Sequence, residues 1–257
     1  MSDWAHDLVH RMCAQVGETE AAVGERFPLY SRDGRWKTSA RGSWTGGFWA
    51  GLLTLRRLAT GAGNVAVVRD RLDVWADADT VLRGMIFWYG TGAERLGLLD
   101  PRSSTANVAN SLARSFDPEL GAIPWGSAFA PDGPPVRADG AAGVVPLLDA
   151  HGHHDIARRH RNAHLDLEPD WPRGKAWLLL TNPAQDWSVS TQDSSAVAIA
   201  AVALLKAGRR EEGERLLRTL PEGADYDGMT GLQVVWGDFF TFLGAAIVTG
   251  LVPPDAW

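Results

Sequence analysis

Along nearly its whole length the sequence repeats apolar residues at helical spacing, and it almost nowhere alternates β-branched with polar ones. That combination confines it to all-helical folds. Helices are expected at Asp3–Gly24, Thr45–Thr60, Val65–Ala76, Thr80–Tyr89, Ser104–Phe116 and Ala141–Ala150, then at Asp155–Asn162, Gly174–Leu180, Ser194–Ala207, Glu211–Leu220 and Leu232–Val248. Breaks such as Gly61-Ala-Gly-Asn and Pro131-Asp-Gly-Pro-Pro separate them. There is no shift of composition and no linker, so residues 1–257 read as one domain, an ordinary size for a single core. About eleven short helices in succession suit a toroid of helical hairpins better than a bundle. No period of roughly 30 to 50 residues recurs, which disfavours TPR- or HEAT-like arrays.

Composition narrows the partners. A formal net charge of −6 disfavours nucleic acid, whose binding is driven by basic surface. Apolar runs such as Ala196–Leu205 are far shorter than the roughly 20 residues a membrane helix needs. Met1-Ser-Asp-Trp-Ala-His-Asp carries acids and no apolar core, unlike a secretory signal, so a cytoplasmic protein is expected. The lone cysteine, Cys13, allows no internal disulfide and no thiolate metal cluster; its amphipathic setting makes it a buried small hydrophobe. Of 25 basic residues only Lys37, Lys175 and Lys206 are lysines, a bias that suits a GC-rich genome. Twelve tryptophans stand out, and they point to an aromatic-lined cleft as well as to core packing.

The breaks between helices hold the informative residues. Phe27-Pro-Leu-Tyr and Gly34-Arg-Trp36 precede Ser43-Trp-Thr-Gly-Gly-Phe-Trp-Ala-Gly. Ser43 is a reasonable helix N-cap. Gly46, Gly47 and Gly51 cost about 1 kcal/mol each against alanine in a helix, so they suggest crowding around a site. His151-Gly-His-His-Asp…His160 has the composition of a metal cluster but not the helical pairing with an acid that a zincin shows; a solvated turn is expected, with no metal. Asp193-Ser194-Ser195 lacks the elbow of a serine nucleophile and reads as an aspartate capping the next helix.

Six segments, in order, resemble glycoside hydrolase family 88, the unsaturated glucuronyl hydrolases. They are Trp44-Thr-Gly-Gly-Phe-Trp-Ala-Gly, Phe116-Asp-Pro…Trp125, Arg137-Ala-Asp-Gly-Ala-Ala-Gly-Val-Val-Pro-Leu-Leu, Trp171-Pro-Arg-Gly-Lys-Ala-Trp177, Asp193-Ser-Ser-Ala-Val-Ala-Ile-Ala and Gly237-Asp-Phe-Phe. The resemblance implies an (α/α)6 barrel, six helical hairpins in a toroid, here shortened and incomplete. It implies a Δ4,5-unsaturated uronide as substrate and Asp139 as the acid that protonates C4 of the vinyl ether and assists water to C5. No cofactor is implied. The aromatic residues of these segments, Trp44, Trp125, Trp171, Trp177 and Trp236, are expected to wall the substrate cleft, with Arg173 pointing into it. Burial beside indoles would raise the Asp139 pKa and suit it to general acid work, whereas a purely structural Asp139 would cap the helix that follows.

The chain also departs from the family. Where a second essential aspartate stands in an H-D-x-G-F motif, this sequence has Val81 and Leu82 ahead of an aligned Gly84, with Asp77 and Asp79 a few residues earlier. The stretch between Arg161 and Trp171 is short, leaving His164 as a surface-loop histidine in place of a substrate-binding one. Gly143 and Lys175 replace an asparagine and a glutamine. Three functions follow: an unsaturated-uronide hydrolase on short oligosaccharides; an enzyme repurposed, as in natural-product biosynthesis, for proton transfer, hydration, isomerisation or cyclisation of an alkene or enol ether; or a non-catalytic ligand-binding barrel.

Overall fold

A computed structural model describes residues 3–184, 193–221, 225–226 and 229–257. In chain order the elements are α1 (Asp3–Val23), β1 (Phe27–Arg32), β2 (Arg35–Ser39), α2 (Gly46–Thr60), α3 (Val65–Asp70), α4 (Arg83–Gly90) and the one-turn α5 (Gly92–Arg95). Then come α6 (Ser103–Arg114), α7 (Val144–Ala150), α8 (His154–Leu165), α9 (Pro172–Thr181), α10 (Ser194–Lys206) and α11 (Arg210–Arg218). Strands β3 (Asp225–Tyr226), β4 (Met229–Thr230) and β5 (Leu232–Val234) lead into α12 (Val235–Thr249). Three 3-10 turns, Ser43–Thr45, Arg71–Trp75 and Ala138–Gly140, complete the described chain.

Burial sorts the helices into two rings. Twelve of the 13 residues of α10, 14 of the 15 of α12 and all eight of α4 are buried. By contrast α8 buries three of 12 residues, α11 two of nine and α1 six of 21. The buried set is α2, α4, α7, α9, α10 and α12, and its members touch in a closed circuit: α2 on α4, α4 on α7, the turn before α7 on α9, α9 on α10, α10 on α12 and α12 back on α2. Outside them lie α1, α3, α6, α8 and α11, each amphipathic as a helix with one solvated face should be. This is the (α/α)6 barrel with six inner helices.

Aromatic side chains fill the middle of the inner ring. Phe48 meets Tyr89 at 4.6 Å, Phe239 at 5.5 Å, Phe240 at 5.8 Å and Trp177 at 6.1 Å between ring centroids. Such pairs contribute about 0.5–1.5 kcal/mol each beyond simple burial. The glycines of α2 serve this packing and do not mark a site: Gly47 lies on the Ile86 backbone, Gly51 on the Phe239 ring and Gly46 on Leu72. A side chain at any of them would separate two helices.

Three strands form a sheet of order β2-β1-β5: β1 and β2 lie where loops were expected, and β5 takes the first three residues of the helix expected at Leu232–Val248, which begins instead at Val235. Asp33 and Gly34, with φ of 50° and 75°, make the tight turn of the β1–β2 hairpin, as an Asp-Gly pair favours. Ser43 does not cap a helix through its side chain; it opens a 3-10 turn at φ 53°, and Thr45 stands at the N-cap position of α2, also without a side-chain cap. Asp193 does cap, accepting from the N–H groups of Ser195 (2.9 Å) and Ala196 (3.2 Å). No helix among the described residues is long and apolar enough to cross a membrane.

Candidate active site

Five inner helices direct their N-terminal ends to one end of the barrel. Trp44 precedes α2 and packs on Trp236 in the first turn of α12, with centroids 5.1 Å apart. Arg173, in the first turn of α9, lies over the same Trp236 ring at 5.1 Å. Val81 precedes α4 and faces Gly140, and Asp139 occupies the 3-10 turn ahead of α7. Helix N-termini carry partial positive charge and unpaired N–H groups, so this end of the barrel favours an anionic or acceptor-rich ligand.

Asp139 does not cap α7. That helix begins at Val144 behind Gly143, whose φ of 79° and 2.6 Å approach of a would-be Cβ to the Met85 Cα exclude any other residue, and it has no side-chain cap. The Asp139 carboxyl is therefore free of a structural bond to the helix that follows. Burial raises its pKa, and the charges of Arg173 and Arg137, the Trp177 side chain and its own backbone N–H oppose that rise. Among the described residues, no second carboxylate is among the groups acting on Asp139.

The turn rests on two buried histidines of α8. The Ile123 N–H donates to His160 Nδ1 at 3.0 Å, so the ring proton sits on Nε2, which donates to the Gly140 carbonyl at 3.1 Å. Burial pushes the His160 pKa down to about 3, and it stays neutral. His164 Nδ1 donates to the His160 carbonyl at 2.7 Å, and burial lowers its pKa as well. The two rings lie 4.3 Å apart. Both residues differ from expectation: His164 is 1% exposed on a helix and not in a surface loop, and His160 is wholly buried and not part of a solvated turn. His151, His153 and His154 do lie at the α7–α8 junction, and the described residues hold no group suited to a metal ion.

The expected cleft residues have distinct places. Trp44 is partly buried, while Trp236 and Trp125 are 8% exposed. Trp125 lies under Arg137, 4.3 Å from the guanidinium to the ring. Trp177 is fully buried in the aromatic core and touches the Asp139 environment through its indole edge. Trp171 is 39% exposed and folds back on Gly174 at the start of its own helix, apart from the other four. Val81 and Leu82 are buried, and Val81 Cγ1 would lie 3.4 Å from a Cβ on Gly140, giving the acid-bearing turn an apolar wall. Asp77 and Asp79 stand elsewhere: both are exposed, and Asp79 takes hydrogen bonds from Ser127 Oγ (2.7 Å) and N–H (3.0 Å). A cavity of about 220 Å³ lined by Trp88, Thr91, Arg95, Leu147 and His151 lies at the opposite ends of α4 and α7.

Sequence reasoning missed the histidine support because Arg158, Arg159 and Arg161 surround it. The readable signal was the spacing of Ala157, His160 and His164, which puts all three on one helix face.

Two rings of helices, with Asp139 at the converging inner N-termini, define an (α/α)6 barrel with a candidate site at one mouth. No protein-family model and no curated protein matches the chain. Among solved structures it is similar to the unsaturated glucuronyl hydrolase of Bacillus sp. GL1, with a TM-score of 0.74 at 17% identity over 95% of this chain and 96% of that one. An unsaturated glucuronyl hydrolase specific for heparin aligns with a TM-score of 0.75 at 17% identity, over 97% and 98% of the two chains. The enzyme of Streptococcus agalactiae aligns with a TM-score of 0.72 at 14% identity, over 94% and 90%. At these identities the likeness establishes the fold, that of the unsaturated glucuronyl hydrolases.

Proposed function

We propose that this chain is a glycoside hydrolase-like enzyme in which Asp139 is the general acid and base that protonates and hydrates an unsaturated uronide-type vinyl ether. The observation that carries the reading is an aspartate with a raised pKa, bound to no helix terminus, at the end of the barrel where the inner helices begin. The carboxylic acid gives its proton to C4 of the alkene, leaving an oxocarbenium ion at C5. Water adds at C5 and returns a proton to the carboxylate, and the resulting hemiketal opens to free the aglycone. Trp44, Trp236, Trp177 and Trp125 offer ring faces and edges to the sugar, and Arg173 offers charge to a substrate carboxylate. The indole N–H of Trp236 is buried without a hydrogen-bond partner, a costly state that a ligand acceptor relieves. Neighbours of the same fold include one solved with the oligosaccharide dGlcA-Glc-Rha-Glc, which supports a short oligosaccharide as ligand class.

A second reading rests on Val81 and Leu82. The apolar wall beside Gly140 suits a less polar alkene or enol ether, protonated by the same acid. One assay separates the two. Unsaturated uronyl disaccharides and uncharged enol ethers are offered to wild type and to Asp139→Asn, and loss of the alkene ultraviolet absorbance is followed. Turnover of the uronides that the variant lacks supports the hydrolase. Turnover of the uncharged compounds alone supports the second reading, and equal rates in wild type and variant remove Asp139 from the chemistry.

A further inference from the structure

The Asp139 carboxyl is held by a turn of three residues, and a turn that short does not fix a side chain unaided. What fixes it comes from α8. His160 is wholly buried, and its two nitrogens join two otherwise separate segments: Nδ1 takes the Ile123 N–H, beside the Asp117–Ala122 bridge, and Nε2 gives its proton to the Gly140 carbonyl next to Asp139. His164 closes the other side. A Cβ on Gly140 would lie 3.1 Å from His164 Nε2, so the turn is already in close contact with the second ring. The His164 ring is in turn tied to the His160 carbonyl at 2.7 Å.

We propose that His160 is a positioning residue for Asp139, its neutral ring clamping the Gly140 carbonyl so that the neighbouring carboxyl is kept out of water beside Arg173 and Trp177. The proposal deepens the reading of Asp139 as the acid and rests on it. The clamp needs one tautomer, an acceptor toward Ile123 and a donor toward Gly140, and an imidazolium cannot supply the acceptor. Burial keeps His160 neutral across the physiological range. A general acid displaced by about 1 Å loses on the order of 10²-fold in rate.

The groups that face Asp139 are Arg173 and Trp177 from α9 and Arg137 from its own loop; His160 and His164 from α8 lie behind Gly140. The test is an NMR titration of the Asp139 carboxyl in the intact protein, with the signal assigned by Asp139→Asn, alongside turnover. His160→Gln keeps a donor at the reach of Nε2, and His160→Asn does not. The expected result is an Asp139 midpoint lowered by roughly one pH unit in His160→Asn, as water reaches the carboxyl. Turnover should fall on the order of 10²-fold in that variant, with both properties near wild type in His160→Gln. An unchanged midpoint in folded His160→Asn overturns the proposal, and so does an equal shift in both variants, because His160→Gln keeps the donor toward Gly140. Should His160→Asn not fold, Gly140→Ala decides, because its methyl would press on His164 Nε2 and Val81 and displace the turn. A lowered midpoint there supports the clamp, and an unchanged one overturns it. If wild type turns over no uronide, the hydrolase reading fails, and the titration still decides the histidine.

Discussion

Asp139 is a residue at which stability and chemistry pull apart. Burial raises its pKa in the folded chain above the value in the unfolded one. Between those two values the folded protein holds a proton that the unfolded chain has lost, so stability falls as pH rises through that window, and at neutral pH the carboxylate is a net cost. Asparagine carries no charge at any pH. Asp139→Asn should therefore raise the melting temperature at neutral pH, by roughly 2–4 °C for each kcal/mol relieved. The gain should vanish below the usual carboxylate pKa of about 4, where aspartate is neutral too. Turnover should fall at least ~10²-fold, the usual contribution of a general acid. Thermal melts across pH check the first claim and rates the second; a variant of lower stability at neutral pH would contradict the buried carboxyl. The wall beside this acid makes a second claim. Val81 and Leu82 offer no hydrogen bonds where the resemblance calls for a polar pair, and each lost bond to a polar group forfeits about 1–3 kcal/mol. Standard unsaturated disaccharides of chondroitin type should therefore react at least ~10²-fold more slowly here than with an unsaturated glucuronyl hydrolase that retains the pair, measured side by side.

The helices of this chain were legible in its sequence and the strands were not, for reasons that lie in particular residues. Ala196–Leu205 is buried nearly all round and still reads as a helix, because alanine and leucine favour one and Asp193 starts it. Pro28 and a register shift between Pro28 and Tyr30 break the alternation of β1, and β5 has three residues, too few to show a period. Asp33-Gly34 was the one usable sign of the hairpin. Arg137-Ala-Asp139-Gly marked Asp139 as a candidate, but the histidine rings beneath it were not legible, since two buried histidines among arginines look like solvated ones. Glycine was misread in a telling way. Its crowding in α2 concerns helix crossings, and the same holds between α4 and α7, where a Cβ on Gly84 would lie 2.7 Å from the Val144 Cα. A backbone atom cannot swing aside as a side chain can. Gly84→Ala should cost about 1–3 kcal/mol by overpacking. Gly61→Ala meets no atom within 4 Å and should cost only the left-handed strain of its φ of 77°, about 1–2 kcal/mol. Denaturant midpoints of the two variants rank these effects, and a Gly84→Ala protein as stable as wild type would contradict the close crossing of α4 and α7.

At the scale of the whole molecule, six inner helices close a ring. The inner circuit, not the outer layer, is thus what the fold conserves physically, because its aromatic filling and glycine crossings touch on every side. Acid should open this ring through its buried histidines. His160 has a folded pKa of about 3 against an unfolded value near 6.5, and His164 is shifted in the same direction. A depressed folded pKa means that the unfolded chain binds the proton first. The stability from neutral His160 is therefore fully present above about 6.5 and is lost as pH falls toward about 3, at about 1.4 kcal/mol per pH unit for one proton. Asp139 runs the opposite way, regaining stability as it is protonated, so it offsets part of the loss. His160→Gln removes one titrating group from the balance. Its stability should fall less steeply with acid than that of wild type, by close to one proton between about pH 6 and pH 4, in urea midpoints taken at each pH. The same slope in both proteins would mean that His160 is not buried neutral, and the account of the turn that carries Asp139 would fail with it.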